Sequence, residues 1–339
     1  MAKALVAMSG GVDSTVSVLL AREAGYEAEG VTLLMHGDTD VSGAAAAAAA
    51  CGVPHRVLDM RERFARCVSG RMVEEYAAGR TPNPCVDCNR SVKTGFLADY
   101  ARENGFDRLV TGHYARTGEL DGRHALRVAA VPEKDQSYVL YPLSQEQLAM
   151  LWLPLGELDK RAVREYAARR GLTSASAPDS QDICFLPDGD YAAYVTARVP
   201  CAEGDFTDST GRVLGRHRGH VHYTVGQRRG LGVAAEERLY VLSKDAARNA
   251  VVLGRESELM TRELRVESVN WVSIAPPQAP LHAMIRTRYR QRETGGEITP
   301  LPQGGARVQF DCPVRAGAPG QAAVFYDSEG YVLGGGTIV

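Results

Sequence analysis

Apolar positions in the first half of the chain come as short continuous runs separated by helically spaced stripes. The run Lys3-Ala-Leu-Val-Ala-Met8 predicts a buried strand. After a turn, Val16, Leu19, Leu20 and Ala24 recur at helical spacing and stop at Gly25. Residues 30–34, 55–59 and 107–112 predict three further strands. Between them, residues 44–50 predict an alanine-rich helix ended by Cys51-Gly52. Phe64, Val68, Met72 and Tyr76 mark one helix face, and Val92, Phe96, Leu97 and Tyr100 another. Strands alternating with helices predict an α/β fold, a parallel sheet with helices on both faces.

The texture changes near residue 195. Glycine and proline become frequent, helical periodicity fades, and short β-like runs appear at 239–242 and 250–253. Residues 215–232 are glycine-rich and basic, and from Leu264 onward only short strands and turns are predicted. The expected division is an α/β domain over 1–195, a small mixed central domain over 196–263 and a β-barrel over 264–339. No internal repeat is visible.

Composition narrows the class. The chain has 339 residues, 45% hydrophobic and 24% charged, which suits a globular protein of two or three domains. No apolar run approaches the ~18 residues of a membrane span, and the first residues read as a strand, not a signal peptide. The expectation is a cytoplasmic protein without a membrane partner. Residues 1–195 carry 21 Lys and Arg against 26 Asp and Glu, and residues 196–339 carry 18 against 15. The C-terminal half is therefore mildly basic and permits a nucleic-acid partner. Seven cysteines at irregular spacing argue against a disulfide framework. Cys85 and Cys88 read instead as metal-binding or catalytic; Cys51, Cys67, Cys201 and Cys312 read as small buried hydrophobes.

The turn after the first strand is Ser9-Gly10-Gly11-Val12-Asp13-Ser14. A strand, a glycine turn and a helix N-terminus make an anion site, because amides and helix dipole point at bound negative charge. The glycines allow close approach, and Ser9 and Ser14 offer hydroxyls. Asp13 suits such a place if it holds Mg²⁺ or orients the loop. Neither a Walker loop nor a G-x-G-x-x-G fingerprint is present. The segment resembles the pyrophosphate loop, S-G-G-x-D-S, of the ATP pyrophosphatases, which hydrolyse ATP between the α and β phosphates and adenylate a carbonyl oxygen.

A second signal is Ala78-Gly-Arg-Thr-Pro-Asn-Pro-Cys-Val-Asp-Cys-Asn89. Pro82 and Pro84 predict a stiff extended loop that presents Cys85 and Cys88 ahead of a helix beginning near Asn89. Thiols so placed tend toward a lowered pKa. A third is Ala177-Pro-Asp-Ser-Gln-Asp-Ile-Cys184-Phe, a polar loop with one cysteine.

With Thr111-Gly-His-Tyr-Ala115, Lys134-Asp-Gln-Ser-Tyr138 and Tyr223-Thr-Val-Gly-Gln-Arg-Arg-Gly-Leu-Gly232, these motifs run in order over nearly the whole chain. Together they resemble the tRNA-specific 2-thiouridylase family. The resemblance implies an ATP-dependent transferase of tRNA modification: the C2 oxygen of the wobble uridine is adenylated, and a sulfur nucleophile displaces AMP to leave 2-thiouridine. It implies ATP and Mg²⁺, with nucleotide contacts at Ala7, Met8, Ser9, Gly10, Gly11, Val12, Asp13, Ser14, Leu33 and Gly112. It implies tRNA contacts at Asn83, Pro84 and Cys85 around the target base, and at His113, Lys134, Asp135, Gln136, Arg288, Tyr289 and Gln321. Asp13, Cys88 and Cys184 take the catalytic roles, Cys184 carrying persulfide sulfur and Cys88 acting as nucleophile or resolving thiol, a pair that can end as a disulfide.

One departure is that much of this family has aspartate where this chain has Cys85. Cys85, Cys88 and Cys184 then make three soft ligands, suited to a [4Fe–4S] cluster with one open iron that could deliver sulfide. That reading is favoured here; the persulfide route is the alternative, and zinc would want a fourth ligand. The sulfur donor would be sulfide or a persulfide-carrying relay protein.

For the RNA surface, Arg286, Arg288, Arg290 and Arg292 alternate strictly and in a strand would share one face, suited to a phosphate backbone or to a solvated edge. Arg212, Arg216, His217, Arg218, His220, His222, Arg228 and Arg229 read as a flexible phosphate-contacting loop. Rival readings are a pyrophosphate-loop synthetase acting on a small carboxylate, and a non-catalytic nucleotide- and metal-binding RNA module.

Overall fold

Among residues 1–37, 39–172, 183–186 and 189–339, which the computed structural model describes, the N-terminal apolar run is strand β1 (Lys3–Ala7). It is followed by α1 (Val12–Glu23), β2 (Glu27–Leu34), α2 (Val41–Ala50) and β3 (His55–Asp59). Next come α3 (Arg61–Phe64), a π-helical turn (Ala65–Gly70) and α4 (Arg71–Ala77). Then follow α5 (Pro84–Ser91), α6 (Thr94–Glu103) and β4 (Arg108–Val110). A hairpin of β5 (Arg116–Leu120) and β6 (Arg123–Arg127) leads to α7 (Gln145–Met150), β7 (Leu151–Trp152), α8 (Lys160–Arg169) and α9 (Tyr191–Thr196).

The main sheet has the order β3-β2-β1-β4-β7, every pair parallel. The alternation within β1 explains the two layers of helices. Ala4 and Val6 pack with Val18 and Ala21 of α1 and Ala44 and Ala48 of α2. Leu5 faces the other way, into a core with Phe64, Val68, Met72 and Leu97. The strand order reverses at β1, so the crevice beyond the C-terminal ends of β1 and β4 is where such a sheet receives a ligand. The four-residue spacing of Phe64, Val68, Met72 and Tyr76 overshoots an α-helical turn, yet all four are buried. The wider π turn between α3 and α4 absorbs the drift.

Two expectations about this half need correction. The segment with Cys85 and Cys88 is no extended loop ahead of a helix; both cysteines lie within α5, which starts at Pro84. Asn83 caps it, its Oδ1 accepting from Cys85 N at 3.1 Å, and Pro84 sits at the first helical position. Val92 lies in the break between α5 and α6, not on the face of α6.

The central part is a four-stranded sheet of β8 (Gly204–Thr207), β9 (Val213–His217), β10 (Tyr240–Asp245) and β11 (Ala250–Gly254), in the order β10-β11-β8-β9. The last part is a closed barrel of β12 (Met260–Asn270), β13 (Leu281–Arg286), β14 (Thr294–Leu301), β15 (Gly305–Arg315), β16 (Ala322–Tyr326) and β17 (Val332–Ile338). β12 closes it by pairing with both β15 and β17. β12 and β15 run for 11 residues each, longer than the short strands expected.

The barrel rests on the first part through polar clasps. Asn270 Nδ2 donates to the Tyr141 and Leu143 carbonyls at 2.6 and 2.9 Å, and Tyr138 Oη to the Ala322 carbonyl at 2.7 Å. β17 comes so close that a Cβ on Gly335 would stand 2.8 Å from the Ala323 carbonyl and 2.9 Å from the Tyr141 ring. No helix among the described residues is long and apolar enough to cross a membrane.

Candidate active site

The phosphate loop joins β1 to α1 at the reversal point of the sheet. Gly10 has φ +79°, and a Cβ there would lie 3.1 Å from backbone atoms of Gly43 and Ala44 in the first turn of α2. Two helix N-termini therefore meet at this turn. Gly11 caps α1 without a side-chain acceptor, so its first-turn amides are left to a ligand or solvent, whereas Asp40, Asn83, Ser144, Asp159 and Asp190 cap α2, α5, α7, α8 and α9. The loop holds its own shape: Ser14 Oγ accepts from Ser9 N at 3.2 Å and donates to the Gly11 carbonyl at 3.0 Å. Ser14 is thus buried and shapes the loop, and is not the outward donor expected of it. Met8 and Leu33 are buried along the sheet, and Ala7 ends β1.

Asp13 sits in the first turn of α1. Lys160 Nζ lies 2.7 and 2.6 Å from its two oxygens, and Tyr114 Oη donates to it at 2.7 Å. Gly112, beyond β4, is pressed against this residue: a Cβ there would be 3.1 Å from the carbonyl carbon and Cβ of Asp13. The donors, the glycine clearances and the nearby cation fit the triphosphate of a nucleotide, and Asp13 is the carboxylate in reach for a divalent ion.

The next residue, His113, is buried, with Nδ1 2.8 Å from Thr111 Oγ1. Burial, then the charge of Lys93, pushes its pKa down to about 3, so the ring is neutral near pH 7. Lys93 stands between α5 and α6, and its N–H donates to the Cys88 carbonyl at 2.7 Å. It lies within electrostatic reach of Cys85, Cys88 and Cys184 as well as of His113, the neighbour of Gly112.

Cys85 and Cys88 lie one helical turn apart on α5, and Cys184 interacts electrostatically with both. All three thiols are free. Their acidity departs from expectation: burial pushes Cys85 and Cys184 up and Cys88 to about 12, and Lys93 only partly opposes it. Desolvation outweighs the helix N-terminus. Cys85 and Cys184 keep an open side, while Cys88 is buried. Among the described residues, no three His, Cys, Asp or Glu side chains are arranged to hold one metal ion. Residues 177–182 of the Cys184 motif lie outside the described residues. Of the four other cysteines, only Cys51 is buried; Cys67 and Cys201 are half-buried, and Cys312 is exposed.

The side facing the barrel carries the residues expected to touch tRNA. Gln321 Nε2 donates to the Thr81 and Pro82 carbonyls at 2.8 and 3.3 Å, gripping the chain ahead of Asn83 and Pro84. Tyr289 is 38% exposed, meets Tyr138 edge-on at 5.9 Å and lies within electrostatic reach of Cys85. Lys134 ends a short 3₁₀ turn, and Gln136 Oε1 accepts from Tyr114 N at 3.0 Å. Asp135 is buried; it accepts from Ala129 N, Ser137 and Arg286 Nη1, the last at 2.9 Å.

The arginine stripe is not a strand face. β13 ends at Arg286, which pairs with Asp135 and Glu293 and lies over the Tyr326 ring. Arg288 donates to the Val225 carbonyl at 3.0 Å, while Arg290 and Arg292 are exposed in the turn that follows. The basic stretch before it is also more ordered than a flexible loop. His217 is buried on β9, and His220 Nε2 donates to the Ala77 carbonyl at 3.1 Å. Arg228 and Arg229 are exposed in the turn beside Val225.

Lys93 and Lys160 were missed by sequence reasoning, and Tyr114 was quoted without a role. A signal existed: both lysines stand at helix starts, where the macrodipole disfavours a cation.

Comparison with known proteins fits this geometry. A family model described as tRNA methyl transferase HUP domain matches residues 2–188, one described as tRNA methyl transferase PRC-barrel domain matches 192–255, and one described as Aminomethyltransferase beta-barrel domain matches 261–338. The chain is 45% identical over 346 residues to the tRNA-specific 2-thiouridylase MnmA of Pelobacter propionicus, covering 99% of this chain and 97% of that protein. It is 45% identical over 348 residues to the protein of the same name from Nostoc punctiforme, covering 100% and 99%.

Proposed function

This chain belongs to the tRNA-specific 2-thiouridylase family, and from that membership we propose how its own residues carry the reaction. The enzyme transfers sulfur to tRNA. ATP binds at the Ser9–Ser14 turn, with Asp13 holding Mg²⁺, and the C2 oxygen of the wobble uridine attacks the α-phosphorus, releasing pyrophosphate. The target base is turned out of the tRNA beside Cys85, against the exposed ring of Tyr289, since a base must leave its stack to be reached. His113, neutral by burial, offers a hydrogen bond there without adding charge.

Sulfur then arrives from Cys184. In the reading best supported, Cys184 carries a persulfide whose outer sulfur is transferred from a persulfide-carrying relay protein, the donor's thiol being left behind. The Cys88 thiolate attacks the Cys184 sulfur, a Cys88–Cys184 disulfide forms, and hydrosulfide is released. Hydrosulfide attacks C2, the C2–O bond breaks and AMP departs; a dithiol reductant reopens the disulfide. The observation that carries this reading is that Cys184 lies within electrostatic reach of Cys85 and Cys88, and all three lie within reach of Lys93. Burial keeps the resting thiols protonated, so the charge of Lys93 is what favours a thiolate there.

A [4Fe–4S] cluster on Cys85, Cys88 and Cys184 is supported by the count of soft ligands, but these thiols are protonated by burial and not grouped as a metal site among the described residues. The exposed Arg228, Arg229, Arg290 and Arg292 would take tRNA phosphates. The three parts, taken as 1–195, 196–263 and 264–339, would divide into catalysis and two tRNA contacts, in a cytoplasmic enzyme.

The test pairs pyrophosphate release with thiolation in anaerobically purified protein. Cys88→Ala and Cys184→Ala should each abolish 2-thiouridine formation and leave tRNA-dependent pyrophosphate release within about threefold. Iron-free wild-type protein should turn over with a persulfide donor; activity that rises and falls with bound iron would replace the persulfide route by the cluster.

A further inference from the structure

Lys160 is the first residue of α8, beside the cap Asp159, whose carboxylate accepts from Ala162 N at 2.6 Å. A cation at this end opposes the helix dipole, so the stability of α8 does not call for a lysine. The side chain is only 14% exposed, and its ammonium reaches both oxygens of Asp13. The backbone that carries it is fixed against α1, because Val163 and Ala167 of α8 pack with Val12 and Val16 of α1. Asp13 would repel a phosphate in a cradle built for anions unless its charge were answered. Tyr114 Oη anchors the carboxylate from another side without adding charge, and its ring lies 5.9 Å from the Lys160 ammonium.

We propose that Lys160 is a phosphate-binding residue of the ATP site, which neutralises Asp13 in the nucleotide-free protein and turns to the pyrophosphoryl end of ATP when nucleotide binds. Asp13 then keeps its bond from Tyr114, and the Mg²⁺ that accompanies the nucleotide would answer its charge in place of Lys160. A lysine suits this exchange, being a compact charge with three donors on a flexible stem. The inference rests on the reading of the Ser9–Ser14 turn as the ATP cradle.

The test is equilibrium binding of ATP, AMP and inorganic pyrophosphate, each with Mg²⁺, to wild-type and Lys160→Gln protein. A lost charge-assisted contact predicts ATP and pyrophosphate affinity about 30-fold lower in the variant, with AMP affinity within about threefold. Unchanged pyrophosphate binding overturns the proposal, as does an equal loss of AMP and ATP affinity, which marks a collapsed loop. If Lys160→Gln does not fold, Asp13→Asn with Lys160→Gln is compared with Asp13→Asn alone. The same loss of about 30-fold is expected, and equal pyrophosphate affinity of the two again overturns it. Wild-type protein that binds neither ATP nor pyrophosphate would instead overturn the reading of the loop itself, whereas wild-type binding matched by the variant sinks only the role of Lys160.

Discussion

Asp13 and His113 show how one residue's neighbours decide its use. Asp13 is a carboxylate where anions belong, tolerated because Lys160 and Tyr114 bond it from two sides. Replacing it by alanine should lower pyrophosphate release by at least about a hundredfold while tRNA affinity, measured by filter binding, stays as in the wild type. His113 is buried and neutral, its pKa held at about 3 against an ordinary value near 6.5. The unfolded chain takes up a proton there that the folded one refuses. This share of stability is therefore full above pH 6.5 and lost as pH falls toward 3. Between pH 7 and 5 the loss is about 2 kcal/mol. Urea unfolding at the two pH values should show it, and His113→Gln should flatten the dependence by that amount.

At the scale of elements, α5 and the start of α6 do the positioning. Asn83 and Pro84 begin α5, so that its first turns aim Cys85 and Cys88 the same way, and the break at Val92 brings the Lys93 backbone N–H to the Cys88 carbonyl. Asn-Pro is a helix start that could have been read from the chain; two prolines so close suggested an extended loop because Pro82 alone lies outside the helix. Lys93→Met should lower thiolation at pH 7.5 about tenfold, the effect of roughly one pKa unit on thiolate supply. Pyrophosphate release should fall less, and part of the thiolation should return at pH 9. Equal loss of both activities would place Lys93 at the nucleotide instead.

For the whole molecule, the barrel is a structural partner of the first part as well as the proposed RNA surface. Arg286, spaced in the chain like its neighbours Arg288, Arg290 and Arg292, is spent between the buried Asp135, Glu293 and the Tyr326 ring, bridging two parts of the fold. Arg286→Ala leaves Asp135 buried without that partner and should cost about 3 kcal/mol in denaturant unfolding. Arg290→Ala and Arg292→Ala should leave stability within about 0.5 kcal/mol. Each should weaken tRNA binding and reduce its salt slope by about 1. The reverse pattern would return Arg286 to the RNA face.

Local patterns were enough for the parallel sheet, the phosphate turn and the order of the motifs, because buried strands and helix stripes are written in runs and spacings of a few residues. The linear chain also marked Cys85, Cys88 and Cys184 as chemical. Whether those thiols meet, how far burial suppresses their ionisation, and which lysine answers which acid depend on elements far apart in order coming together. Lys160 reaches Asp13 only because α8 packs on α1, and Arg286 is removed from solvent only because the barrel closes over Asp135. Desolvation and long-range charge pairing are properties of the assembled interior, so only the tertiary structure could decide them.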